Sequence, residues 1–261
     1  MPHYFKQLPG VKLHYNLRGE ASNPALVLSN SLGTDLRMWE PQLELLASKY
    51  HVITYDTRGH GQSSVPPGPY TLPQLGGDVI TLLDYLGIGR FSFCGLSMGG
   101  LTGMWLALEH SGRMDKLVVS NTSAYIGPPE NWTARVETVL KDGMEAIADK
   151  VMTIWLTAPC REARPDLLAW LRAMLVAAPA DGYAANCLAI RDADLRSQIG
   201  GIQVPTLVIS GSGDLATPPA DGRFLAENIS GARFVQLEAA HLSNLEQPGE
   251  FNHAVMEFLT K

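Results

Sequence analysis

The stretch Phe91-Ser-Phe-Cys-Gly-Leu-Ser97-Met-Gly-Gly-Leu101 constrains this chain more than any other. The run Arg90 to Cys94 reads as a short buried strand, and Leu101 to Leu108 carries helix-forming residues. Between them lies Gly95-Leu96-Ser97-Met98-Gly99, the G-x-S-x-G spacing. A strand, a sharp turn and a helix in that order are the context in which this pattern presents a serine hydroxyl above a sheet. Glycines flank the serine because strand and helix pack too closely there for side chains. A chain built around such a turn needs a histidine to take the serine proton and an acid to hold the histidine.

The surrounding pattern fits that frame. Ala25–Ser29, His51–Tyr55, Lys116–Ser120, Val204–Ser210 and Ala232–Leu237 read as buried strands. Met38–Ser48, Leu72–Leu86 and Phe251–Lys261 have helical spacing, and Val11–Leu17 alternates as a strand of an opening hairpin. Strands alternating with helices predict an α/β fold, a mostly parallel sheet covered on both faces. From about Thr122 to Gly200 the rhythm changes to helices alone, over 132–140, 144–155, 164–177 and 183–190, with Pro128, Pro129, Pro159, Pro165 and Pro179 between them. This stretch is expected to be a helical cap inserted into the core. The expected division is a core of 1–121 and 200–261 with a cap of 122–199, the cap lying over the strand ends where ligands bind in open α/β sheets.

The acid and the base are sought in loops after strands. Asp214 follows Val204–Ser210 and His241 follows Ala232–Leu237, so the chain order is Ser97, Asp214, His241, as expected for this class of turn. Other candidates are weaker. His60, in Arg58-Gly-His-Gly61, is assigned to local loop hydrogen bonding, and His3, His14, His51 and His253 to exposed or structural positions. His110 ends the helix after the turn, where an imidazole complements the helix dipole. Asp192 and Asp194 fall in the cap. Asn121, just past Lys116–Ser120, holds a position that could carry the acid, but an amide cannot stabilise an imidazolium as the Asp214 carboxylate can. An oxyanion hole is expected from the N–H of Met98 and from the loop Asn30-Ser-Leu-Gly-Thr34, where the N–H of Leu32 is assigned.

Composition narrows the function classes. With 46% hydrophobic residues, 18% charged residues, a net charge of −6 and no cluster of Lys and Arg, nucleic acid is not an expected partner. No apolar stretch approaches bilayer length, so no membrane is expected. The N-terminal residues lack a secretory pattern. Cys94, Cys160 and Cys187 are odd in number and widely spaced, which suggests free thiols and a cytoplasmic setting rather than disulfides or zinc.

Leu28-Ser-Asn-Ser-Leu-Gly-Thr-Asp-Leu36, Tyr55-Asp-Thr-Arg-Gly-His-Gly61, Cys94-Gly-Leu-Ser-Met-Gly-Gly100, Ala185-Asn-Cys-Leu-Ala-Ile-Arg-Asp-Ala-Asp194 and Ala240-His-Leu-Ser-Asn244 together resemble the 3-oxoadipate enol-lactonases of the α/β-hydrolase superfamily. The serine turn and the acid–base pair are shared across the superfamily, whereas the Ser-Asn-Ser-Leu-Gly loop and the cap stretch point to the lactonases. The resemblance implies an α/β-hydrolase fold and a carboxylic ester hydrolase of bacterial aromatic catabolism (the β-ketoadipate pathway). It implies a small-molecule lactone as substrate, and no cofactor or metal. It assigns Ser97, Asp214 and His241 as triad and Leu32 and Met98 as oxyanion donors. The substrate of that family carries a carboxylate, for which Arg135 is the candidate clamp, with Trp132 at i−3 as pocket wall and Ser31 as a third candidate contact. The competing assignments are a solvated helix arginine and a packing tryptophan. Two other functions stay open: another small-molecule esterase, lactonase or perhydrolase of the same fold, and a ligand receptor without turnover.

Overall fold

The computed structural model describes residues 3–261. It opens with the hairpin β1 (Tyr4–Leu8) and β2 (Val11–Arg18), paired antiparallel with Leu8 opposite Val11. Then come β3 (Ala25–Ser29), a 3₁₀ turn leading into α1 (Glu40–Ala47), β4 (His51–Tyr55), α2 (Leu72–Tyr85), β5 (Phe91–Leu96), α3 (Met98–Glu109) and β6 (Met114–Ser120). The eight strands lie in the order β1-β2-β4-β3-β5-β6, completed by β7 (Thr206–Gly211) and β8 (Arg233–Leu237). All pairings from β4 to β8 are parallel, and only β1 and β2 run against their neighbours.

Burial explains the strand sequences. Every residue of β3, β5 and β7 is buried, which accounts for apolar runs without alternation in strands covered on both faces. Helix α2 starts at a capping box in which Thr71 and Gln74 satisfy each other's backbone N–H groups, and it buries Leu75, Val79, Leu82 and Leu83. Helix α3 begins at Met98, three residues before the expected start. Glycines 99 and 100 are poor helix formers, but tight packing against the sheet overrides propensity there.

Between β6 and β7 the chain forms only helices: α4 (Pro129–Asp142), α5 (Glu145–Trp155), α6 (Ala158–Ala163), α7 (Pro165–Val176) and α8 (Ala180–Asp192). Four were expected there. The fifth, α6, is capped by the Thr157 hydroxyl with Pro159 in its first turn. Pro159 opens this helix and does not separate two others, because a proline in the first turn starts a helix as readily as a later one ends it. Helix α9 (Pro219–Asn228), for which no expectation was stated, likewise opens on a proline. The chain closes with α10 (Ser243–Glu246) and α11 (Pro248–Thr260). No single helix among the described residues is long and apolar enough to cross a membrane. Cys94, Cys160 and Cys187 are buried and free.

Candidate active site

The turn from β5 into α3 is as tight as its glycines suggest. A Cβ on Gly95 would lie 2.1 Å from the Gly99 carbonyl oxygen, and one on Gly99 would lie 2.2 Å from that of Ser29. Ser97 sits between them at φ 58° and ψ −114°, a conformation that costs a non-glycine residue on the order of 1–3 kcal/mol. The surroundings hold it there: its N–H donates to the Ser120 carbonyl at 2.9 Å, and the Thr122 hydroxyl donates to its own carbonyl at 2.8 Å. The strain aims the hydroxyl away from the sheet, into a cavity of about 510 Å³ that His241 also lines.

Asp214 stands in the loop after β7 and His241 in the loop after β8. Imidazole Nδ1 donates to the two carboxylate oxygens of Asp214 at 2.9 and 3.0 Å. Those oxygens take four further bonds: the N–H groups of Ala216 (2.8 Å) and Thr217 (3.0 Å), the Thr217 hydroxyl (2.8 Å) and the Asn121 amide (3.0 Å). Burial alone would push this carboxyl upward. The facing His241 and the hydrogen bonds outweigh burial and hold it down at about 2, so the group stays ionised. The His241 loop is tied to α5, because the N–H of Leu242 donates to the Trp155 carbonyl at the end of that helix at 3.0 Å.

Asn121 is the residue that sequence reasoning undervalued. Besides Asp214, its amide donates to the Ala240 carbonyl (3.0 Å), and its oxygen accepts from the hydroxyls of Ser120 (2.7 Å) and Ser243 (2.5 Å). It thus ties the acid loop to the histidine loop. Its φ of 47° lies in the left-handed region, which asparagine tolerates better than most residues.

The candidate oxyanion donors lie beside Ser97. Met98 is the first residue of α3, so its N–H has no carbonyl one turn back to bond. In the loop after β3 the neighbours of Leu32 are occupied: the Ser31 N–H meets Met38 Sδ at 3.4 Å, and the Gly33 N–H meets His60 Nε2 at 2.8 Å. The N–H of Leu32 has no protein partner among the described residues. Ser31 and Leu32 both line the cavity.

The opposite wall comes from α4, α5 and α8. Trp132 and Arg135 both line it, with the guanidinium carbon 5.2 Å from the indole ring centre. The Trp132 indole N–H donates to the Ile126 carbonyl, which fixes the ring. Lys150 on α5 also reaches the cavity, a position that sequence reasoning did not single out. Neither Arg135 nor Lys150 forms an ion pair among the described residues. The other histidines go elsewhere. His14 donates to Asp56 at 2.6 Å, and His253 is exposed on α11. Asp192 and Asp194 pair with Arg191 and Arg196.

Comparison with known proteins bears on the family and the fold. Residues 24–142 match the family model described as the alpha/beta hydrolase fold. The chain is 49% identical to 3-oxoadipate enol-lactonase 2 of Acinetobacter baylyi, over 94% of this chain and 92% of that one. The crystal structure of the enol-lactonase from Burkholderia xenovorans superimposes with a TM-score of 0.98 at 50% identity, covering 99% of this chain and all of that one. This chain belongs to the 3-oxoadipate enol-lactonase family of α/β hydrolases. A thermophilic esterase from Thermogutta terrifontis follows at 28% identity and a TM-score of 0.93, covering all of this chain and 98% of that one. Relative to that esterase, membership of the lactonase family is carried by the higher identity and not by the fold.

Proposed function

We propose that this enzyme opens the ring of 3-oxoadipate enol-lactone to give 3-oxoadipate. The observation that carries the reading is the charge of the cavity. In a chain of net charge −6, the residues lining it include the cations Arg135 and Lys150 but no Asp or Glu among the described residues. Such a pocket favours an anionic substrate, and a guanidinium without an acidic partner is the natural receiver of a carboxylate. Ser31, Trp132 and Arg135 are assigned to substrate binding. The lactones named by the family's relatives fit this charge.

Ser97, His241 and Asp214 act as nucleophile, base and orienting acid. His241 takes the hydroxyl proton of Ser97 as Oγ attacks the lactone carbonyl, and Asp214 stabilises the imidazolium. The N–H groups of Leu32 and Met98 hold the developing oxyanion. Collapse breaks the ring C–O bond and releases an enolate that stays attached to the acyl chain. An enolate is a far better leaving group than an alkoxide, and its conversion to a ketone discourages re-closure. The imidazolium gives its proton up to the enolate as the ketone forms, and the neutral His241 then deprotonates the water that cleaves the acyl-enzyme and returns that proton to Ser97 Oγ. The helices of 122–199 serve as the cap that supplies specificity, and three free buried cysteines are compatible with a cytoplasmic setting.

The test is ultraviolet-monitored loss of the enol-lactone, beside Ser97→Ala and a p-nitrophenyl acetate control. Fast lactone turnover that disappears in Ser97→Ala is the expected result. Ester cleavage without lactone turnover would keep the serine mechanism and discard the substrate.

A further inference from the structure

We propose that His60 is a positioning residue for the oxyanion hole: its Nε2 accepts the N–H of Gly33 and so holds the turn that presents the Leu32 N–H to the reacting carbonyl. The proposal rests on the attack by Ser97 and the donor role of Leu32 given above, but not on the identity of the lactone.

Residues Ser31 to Thr34 form a tight turn. The Ser31 carbonyl accepts from the Thr34 N–H at 3.2 Å and from the Thr34 hydroxyl at 2.8 Å. That carbonyl and the Leu32 N–H belong to one planar trans peptide and point in opposite directions. Pinning the carbonyl inside the turn therefore sends the N–H outward. Gly33 has a φ of 81°, which with the Ser31–Thr34 bond marks a type II turn. Types I and II differ by a flip of the central peptide, whose N–H is that of Gly33. That flip leaves the Leu32 N–H, in the preceding peptide, unturned, so an acceptor on the Gly33 N–H acts by anchoring the whole turn in place. His60 Nε2, at 2.8 Å, is that acceptor.

The histidine is built for this task. It is completely buried, and burial lowers its titration to about 4, so it stays neutral at physiological pH. Its other nitrogen faces the Arg58 carbonyl and lies 3.3 Å from the Asn186 amide nitrogen, and because the Gly33 N–H can only donate, Nε2 is the acceptor. The loop that carries it is braced from two sides. Arg58 makes a two-pronged pair with Asp78 of α2, both contacts 2.6 Å, and the Asn186 amide of α8 donates to the Arg58 carbonyl at 2.8 Å and to that of Gly182 at 2.9 Å. Asp56, at the start of the same loop, accepts the Leu36 N–H at 2.8 Å and so fixes the far end of the Leu32 segment. His60 does not line the cavity, so it acts through Gly33 and touches no substrate.

His60→Ala and His60→Gln would be measured on p-nitrophenyl acetate and on the enol-lactone, together with their affinity for phenylboronic acid, which forms a tetrahedral adduct on an activated serine. His60→Ala is expected to lower kcat roughly 10²-fold, the lower end for loss of one oxyanion donor, with KM within about threefold. Boronate affinity should fall in step with kcat/KM, while affinity for 3-oxoadipate, a product whose trigonal carboxylates do not mimic the tetrahedral adduct, stays near that of the parent enzyme. The Gln side chain places an oxygen near the Nε2 position, so His60→Gln should keep at least about a tenth of kcat, as expected if one accepted hydrogen bond carries the effect. If His60→Ala does not fold, His60→Asn, whose shorter amide reaches only the Nδ1 position, replaces it. Gln performing no better than Ala or Asn, or equal losses of boronate and product affinity, would overturn the proposal. So would kcat left within about threefold of the parent in every variant, since loss of a donor costs far more. Ester cleavage without lactone turnover removes only the substrate assignment, and the His60 comparison then stands on the ester. A parent enzyme that neither cleaves the ester nor binds the boronate would overturn the serine mechanism and this proposal with it.

Discussion

The floor and the roof of the cavity are built on different principles. The floor, made of Ser97, Asp214, His241 and the Leu32 loop, stands at the ends of β5, β7, β8 and β3. Its polar groups are almost all tied down, with Asp214 alone bonded by His241, Asn121, Ala216 and Thr217. The roof, made of Trp132, Arg135 and Lys150, is carried by helices, and its cations lack ion-pair partners among the described residues. A preorganised floor suits a reaction in which charge develops at fixed points. A roof with unpaired cations suits recognition, because a bound anion supplies the missing partner. The esterase at 28% identity shares the fold; under the function proposed above, the floor carries the chemistry and the roof the selectivity.

The contrast predicts a graded set of effects. On the floor, Asp214→Asn should lower kcat by about 10⁴-fold for lactone and ester alike, since loss of the acid leaves the wrong imidazole tautomer. Steady-state kinetics on both substrates checks this, and an effect confined to the lactone would break the division. On the roof, Arg135→Ala should raise KM for the lactone on the order of 10-fold, the scale of one hydrogen bond to a charged group, and leave p-nitrophenyl acetate cleavage almost unchanged.

The smallest effect concerns pH. The folded state holds His60 neutral down to about 4, below the ordinary histidine value near 6.5, so the unfolded chain binds its proton first. Stability should be complete above pH 6.5 and fall by up to about 3 kcal/mol between pH 6.5 and 4. Asp214, held at about 2, adds its loss only at lower pH, below the ordinary carboxylate value. Melting temperatures across pH 4–7 would show the fall, and His60→Gln should flatten it.

The floor was the part legible in the sequence. A nucleophile between close-packing glycines, an acid after one strand and a histidine after the next are local signals, each readable within a few residues. The contribution of Asn121 was not, because it depends on contacts with Asp214, Ala240 and Ser243 that lie 93 to 122 residues away. The role of His60 was half legible. Its loop announced local hydrogen bonding, but its partner Gly33 belongs to a different strand end. Lys150 gave no signal, since one lysine on an exposed helix resembles any other until the fold turns it toward a cavity. Helix α6 was hidden by Pro159, which opens it.

The most direct test compares kcat/KM for the enol-lactone with that for its neutral methyl ester, in which the side-chain carboxylate is masked. If the unpaired cations of the roof select the substrate, the free acid should be preferred by at least about 10-fold, the scale of one charge-assisted hydrogen bond, and Arg135→Ala should erase most of the preference. Equal turnover of acid and methyl ester would contradict it.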